Sequence, residues 1–248
     1  MSRSRHIKAT VQYDGTAYAG FQRQKGLATI QGELESALSF IAGHPLRVVG
    51  AGRTDAGVHA VGQVVCFSLE GNIPTERIPE AANARLPADI ALWDAVEVPT
   101  GFHPQYEAVS KLYSYTVWRD RRRSPFYSKY SYHFWEDLSM DPLVEAANVL
   151  VGEHDFRAFR AMGSSVKGSV RTLNRLDVNE EGPFLRFYLE ADGFLYNMVR
   201  IIVGTLLETG RGRLTPGDVR HALETGERGM AGPTVPASGL CLEQVRYS

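Results

Sequence analysis

Cysteine is nearly missing from this chain: two residues, Cys66 and Cys241, stand far apart and inside apolar runs. That spacing excludes a disulfide framework and a Cys-type zinc site, and it fits a reducing compartment. Long apolar runs are missing too. No window approaches the ~20 residues of a membrane span, and the opening MSRSRHIKATVQYDG has no stretch long enough for a secretory signal, so a soluble cytoplasmic protein without membrane association is expected. The seven histidines show neither HExxH nor paired Cys/His spacing, so no metal is expected. Low-complexity tracts and Ser/Gly-rich linkers are absent, and the glycines and prolines are scattered, which argues against disorder. An excess of charge of one sign is lacking as well. With 27 basic and 28 acidic residues, the net charge of −1 gives no support for a polyanionic partner.

What is present is enough apolar material for a core. At 248 residues and 44% hydrophobic composition, the chain can form one large domain or two of about 100 residues each. Basic residues gather locally at Arg3, Arg5 and Lys8, at Arg119, Arg121, Arg122 and Arg123, and at Arg171 and Arg175. Each such run reads either as a solvated face or as a track for phosphates.

Period-2 alternation of Ile7, Ala9, Val11 and Tyr13 predicts a half-buried strand over 6–13, turning at Asp14-Gly15. Ile30, Leu34, Ala37, Leu38 and Ile41 recur at helical spacing, with Thr29 as N-cap and Gly43 just past the end. Strands are expected at 46–49, 63–69 and 90–98, with a short helix over 78–85. After Pro104 a second set begins: strands at 111–119 and 130–134 and a helix opened by Asp141-Pro142. A hairpin follows, 172–178 with 184–191 joined through residues 179–182, and then a strongly apolar helix from Leu195 to Leu206 that ends before Gly210. A capped helix at Thr215-Pro216 and a strand over 239–245 close the chain. The pattern predicts an α+β protein of two similar lobes, 1–104 and 105–248, with mostly antiparallel sheets adjoining across a central cleft.

Residues 50–59, GAGRTDAGVH, form a Gly-rich turn between two apolar strands and carry Arg53, Thr54, Asp55 and His59. Gly50, Gly52 and Gly57 permit positive φ and close approach of a backbone or ligand, while Arg53 and Asp55 are presented between ordered elements. An ordinary β-connection with a surface ion pair has the same spacing. A dinucleotide-binding turn does not, because Asp55 stands where a third glycine is needed and a strand follows where a helix should. A haloacid-dehalogenase-type phosphatase motif at Asp14-Gly15-Thr16 fails because position 12 is Gln12. His59 suits a backbone-bonding role in such a turn. Arg200 lies inside the apolar helix and needs a partner there, since a lone buried cation costs several kcal/mol.

The segment GAGRTDAGVHAVGQVVCF resembles the signature of the tRNA pseudouridine synthase A family, and the likeness spans most of the chain. YDGTAYAGFQRQ and TIQGELE are similar to the family's opening, FHPQYEAVSKLYSY to its middle, GEHDFRAF and DGFLYNMVRIIVGTLLETG to its second half, and GLCLEQV to its closing strand. The resemblance implies ferredoxin-like, RNA-binding-type lobes, a homodimer, and isomerisation of uridine in the anticodon arm of tRNA at positions 38, 39 and 40. It implies no cofactor. By residue, it implies Asp55 as the catalytic carboxylate, attacking C1′ or C6 or removing a ribose proton; these routes stay open. Arg53 would help hold the target uridine out of the stack. Tyr113 would stack on the extruded uracil, with Tyr115 two positions on as the alternative. Arg200 would pair with Asp55, and Leu240 and Leu242 would line the uracil pocket; Phe194, Tyr196 and Asn197 are weaker candidates. Residues 119–123 and the AMGSSVKGSV segment look individual to this chain. Two rival readings are a silent RNA-binding protein and a hydrolase using Asp55 with His59 or His103.

Overall fold

The computed structural model describes residues 4–163 and 168–248. Arg3 and residues 164–167 of the AMGSSVKGSV segment lie outside the described residues. The fold is mixed α+β, and the chain divides into two compact units, Met1–Val109 with Cys241–Ser248, and Ser110–Leu240. The division differs from a boundary at 104 followed by one continuous second lobe, because the chain returns to the first unit at its end.

In the first unit β1 (Arg5–Tyr13) is the organising strand, and its alternating Ile7, Ala9, Val11 and Tyr13 are all buried. It pairs antiparallel with β3 (His59–Leu69) from Arg5↔Leu69 to Tyr13↔Ala60, with an irregularity between Val11 and Tyr13. On its other edge lie β4 (Ile90–Leu92) and β5 (Val96–Val98), both antiparallel. The single strand expected over 90–98 is thus broken at 93–95, where Asp94 leaves the ladder and accepts from the Thr10 amide and hydroxyl. The short β2 (Val49–Gly50) pairs with β3; the expected strand at 46–49 shrinks to this pair. Helix α1 (Ile30–Ala42) has the expected caps: Thr29 Oγ1 accepts from Gly32 N, and Gly43 is left-handed. Helix α2 (Ile78–Asn83) packs beside α1 and β4.

The second unit is built on β6 (Ala108–Trp118), β10 (Phe184–Ala191), β9 (Val170–Glu181) and β8 (Gly152–Asp155), paired antiparallel in that order. A two-residue strand, β7 (Tyr132–His133), lies parallel to β6, all that remains of the strand expected at 130–134. The β9–β10 hairpin is tighter than its sequence implies. Phe184 pairs with Glu181, so the turn is Gly182-Pro183 instead of 179–182. Gly182 at φ 58 supplies the backbone sign that a two-residue hairpin turn needs, and the proline tolerates the missing donor. Helix α3 (Met140–Leu150) packs on α4 (Met198–Gly210) and α5 (Pro216–Thr225). Burial runs almost all round α4, which is why its sequence is apolar on every face. It starts at Met198, three residues later than its periodicity suggests, because Asn197 takes a left-handed conformation (φ 60) and breaks the pattern.

Strand β11 (Leu240–Tyr247) completes the first unit, running parallel to β3 with Cys241 opposite His59 and Leu242 opposite Ala60.

Candidate active site

Asp55 sits half-buried in the turn that enters β3, and Arg53 beside it is exposed. The turn is fixed by its backbone. Phe21 N donates to Thr54 O (3.0 Å), Val58 N donates to Asp55 O (3.1 Å) and Ala51 N donates to Val64 O (2.8 Å). Thr54 is buried, with its hydroxyl 2.8 Å from Tyr13 Oη. Gln63 Nε2 donates to Gly52 O (3.0 Å) and to Tyr13 Oη (3.4 Å). Three buried polar side chains from β1, the turn and β3 therefore satisfy one another, with Thr54 next to Asp55 in the chain, and burial holds the Tyr13 hydroxyl far above the usual phenol range. Tyr13→Phe removes the shared hydroxyl and is expected to lower stability by about 1–2 kcal/mol in urea unfolding, since Thr54 and Gln63 lose a buried partner.

Of the three glycines in the motif, Gly57 alone takes a positive φ (78°). Gly50 supplies room instead, since a Cβ there would stand 2.5 Å from the Phe21 ring. Gly15 closes the other side of the turn: a Cβ would stand 2.0 Å from Val58 O. Asp14 caps this short helical turn, accepting from Thr16 N (2.9 Å) and Thr16 Oγ1 (2.5 Å), so Asp14-Gly15-Thr16 is a turn and not a phosphatase nucleophile.

His59 is buried, and its Nδ1 accepts from Gly15 N at 3.2 Å. The same nitrogen lies 3.2 Å from Asp14 Oδ1. One nitrogen cannot accept from an amide and donate to a carboxylate at once, so in the accepting tautomer the carboxylate is a close neighbour only. The ring is a brace between β3 and the Asp14 turn. His103, stacked on Tyr106 with centroids 4.1 Å apart, has its Nδ1 accepting from Gln105 N, so the hydrolase reading finds both histidines in local structural roles.

In the second unit, Tyr113 and Tyr115 share a face of β6, as their spacing predicts. Tyr115 is fully buried, and its hydroxyl donates to Pro236 O (2.8 Å), which makes it a core residue. Tyr113 is 7% exposed and meets Phe194 edge-on with centroids 5.0 Å apart. Arg200 lies in the first turn of α4, half-buried. Its Nη1 donates to Asn197 Oδ1 (2.7 Å) and its Nε to Val235 O (2.7 Å). Asn197, weighed in the sequence only as a pocket residue, thus orients the arginine from the N-cap position of α4, its side-chain oxygen spent on Arg200 instead of on a helix amide.

Leu240 and Leu242 are both buried, Leu242 completely. Burial pushes the thiols of Cys66 and Cys241 up to about 12, so both are protonated at neutral pH and neither is a competing nucleophile. Among the described residues no group of three or more His, Cys, Asp or Glu could hold a metal ion, and no helix is long and apolar enough to cross a membrane.

Tyr13 and Gln63 are the site residues that sequence reasoning missed, and Thr54 was named in the turn without its buried partner. Gln63 carried the available signal, a lone amide at the start of an otherwise apolar run, where a polar side chain must find partners.

The class this defines is an α+β protein that presents a single braced carboxylate beside an exposed arginine. A family model described as tRNA pseudouridine synthase matches residues 9–107 and 146–248. The chain is 49% identical over 243 residues to the tRNA pseudouridine synthase A of Moorella thermoacetica, covering 97% of this chain and 99% of that protein. Its likeness to the proteins of the same name from Syntrophomonas wolfei (44% over 241 residues, 97% of each chain) and Geobacter sp. strain M21 (45% over 244 residues, 98% and 99%) is similar. This chain belongs to the tRNA pseudouridine synthase family, isomerases that convert uridine to pseudouridine in tRNA.

Proposed function

We propose that this protein isomerises uridines 38, 39 and 40 in the anticodon arm of tRNA, with Asp55 as the catalytic carboxylate. The observation that carries the reading is the turn at 50–59, which holds one carboxylate half-buried on three backbone hydrogen bonds and a buried polar brace. The reaction breaks the bond from ribose C1′ to uracil N1 and makes one from C1′ to C5, and the C5 proton leaves to solvent. Uracil is both leaving group and incoming group, so the atoms balance without a cofactor. A preorganised carboxylate can serve as nucleophile or base in this sequence. Arg53, exposed next to it, is suited to meet the RNA and hold the uridine out of its stack.

Tyr113, Arg200, Leu240 and Leu242 are proposed as uridine-binding residues on the strength of the family resemblance, with Arg200 as the counter-charge of Asp55. On the same reading the two α+β units are ferredoxin-like, RNA-binding-type lobes, the enzyme works in the cytoplasm, and it acts as a homodimer. Light scattering at working concentration is expected to give twice 27.5 kDa, and a value near 27.5 kDa would remove the dimer. The activity is tested with transcribed tRNA carrying 5-tritiated uridine. Release of tritium in proportion to the target positions is expected. No release from a tRNA with unmodified uridines 38–40 would overturn the assignment.

A further inference from the structure

The segment from Arg119 to Tyr130, RDRRRSPFYSKY, carries five cations against one carboxylate, Asp120, and three aromatic rings. It falls between the two stretches that the family model matches, so that match assigns it nothing. Arg121, Arg122, Arg123, Phe126 and Lys129 are all exposed. Phe126 is 85% exposed, an unusual place for a phenyl ring.

The loop is nonetheless braced. The Trp118 indole donates to Arg122 O (2.7 Å), and a ring nitrogen of His133 lies 2.8 Å from Asp120 O. Ser131 Oγ donates to Tyr127 O (2.7 Å), and Ser128 Oγ to Pro125 O (3.0 Å). Tyr127 is the anchor, packed against Trp118 and Phe184 with centroids 4.9 and 5.0 Å away. Its neighbour Phe126 is turned outward, in the same braced loop as the exposed cations. Arg122 lies against Asp120 (3.2 Å), while Arg121 stands 6.0 Å from the centre of the half-exposed Trp135 ring.

We propose that this loop is a docking platform for an unstacked stretch of RNA strand, with a base stacking on Phe126 and flanking phosphates on Arg121 and Arg123. The inference rests on the reading of the substrate as RNA. A partner that satisfies an exposed phenyl ring and several exposed cations of one loop must offer flat apolar surface and regular negative charge, which is what successive nucleotides provide. A second copy of this chain is the alternative occupant, and the light-scattering mass of the loop variants distinguishes it.

The test measures fluorescence polarisation of labelled tRNA, of a short single strand and of the matching duplex, with full-length protein across a salt series. Phe126→Ala is expected to weaken tRNA and single-strand binding about tenfold and duplex binding much less, the scale of one lost base–aromatic stack. Arg121→Ser with Arg123→Ser should flatten the salt dependence of log K by about 1.5, the slope carried by two phosphates. Trp93→Ala, at an exposed tryptophan in the other unit, serves as the control and should leave all three affinities in place. Thermal melts check that the variants fold, which their exposure favours. Wild-type affinity and salt slope in both loop variants would overturn the proposal, as would a change in their light-scattering mass, which would make the patch a contact between copies. Tritium release by the unmodified protein is scored separately: platform-dependent tRNA binding without release would sink the assigned activity and leave the platform standing.

Discussion

Asp55→Asn protein is expected to fold and bind tRNA but to release no tritium. The substitution keeps the size and most of the hydrogen-bonding shape of the side chain while removing its charge and its capacity to act as nucleophile or base. Among the described residues of the turn, Arg53 and Thr54 offer no carboxylate in its place. RNA affinity is spread over many phosphate contacts and should change little. The turn itself should persist, because its backbone bonds run through Thr54 O and Asp55 O and not through the carboxylate. Neutralising a half-buried carboxylate also changes what its surroundings must solvate. Urea unfolding is therefore measured beside activity. Tritium release at anything near the unmodified rate by folded variant would refute the assigned mechanism.

Gly15→Ala should be nearly as damaging from a position that carries no chemistry. The added Cβ would stand 2.0 Å from Val58 O and 2.7 Å from Val58 C, and both are backbone atoms with no rotamer to give way. Either the Asp14 turn or the start of β3 must move, at a cost of about 2–3 kcal/mol for overpacking. Val58 closes the Asp55 turn through its amide, so the carboxylate moves as well. A misplacement on the order of 1 Å lowers kcat by about 100-fold. Gly101→Ala, where a Cβ would meet nothing within 4 Å, should leave both stability and rate unchanged. Equal stability and rate for Gly15→Ala and the unmodified protein would show that the turn tolerates displacement.

Much of the local structure was legible because it is written in local chemistry. Thr29 and Gly43 bracket α1, Thr215 and Asp218 form a capping box ahead of α5, and the alternation of β1 matches its burial residue by residue. The Asp55 turn could be found because glycines and charges between two apolar strands are rare and need a reason. What could not be read were features set by distant partners. The hairpin at Gly182-Pro183 depends on register, which the strands' alternation leaves open by several residues. The expected 90–98 strand breaks because Asp94 finds Thr10, more than eighty positions away. Arg200 visibly needed partners, but nothing nearby in sequence named Val235 O as one of them. The platform at 119–130 was visible as charge; its anchor Tyr127, packed against two rings, and outward Phe126 were not separable without the fold.

Strand β11 adds a constraint of timing. It docks parallel on His59 and Ala60, the residues that follow the Asp55 turn, and it fits so closely that a Cβ on Gly62 would stand 2.1 Å from Glu243 O. A nascent chain emerging from the ribosome can build β1, β3 and α1 early, yet the strip beside His59 stays bare until residues 241 and 242 have been made. Contacts of that sequence separation close slowly. The strip of β3 that follows the acid turn is therefore covered only once residues 241 and 242 have been made, long after Asp55 and the bonds that hold its turn.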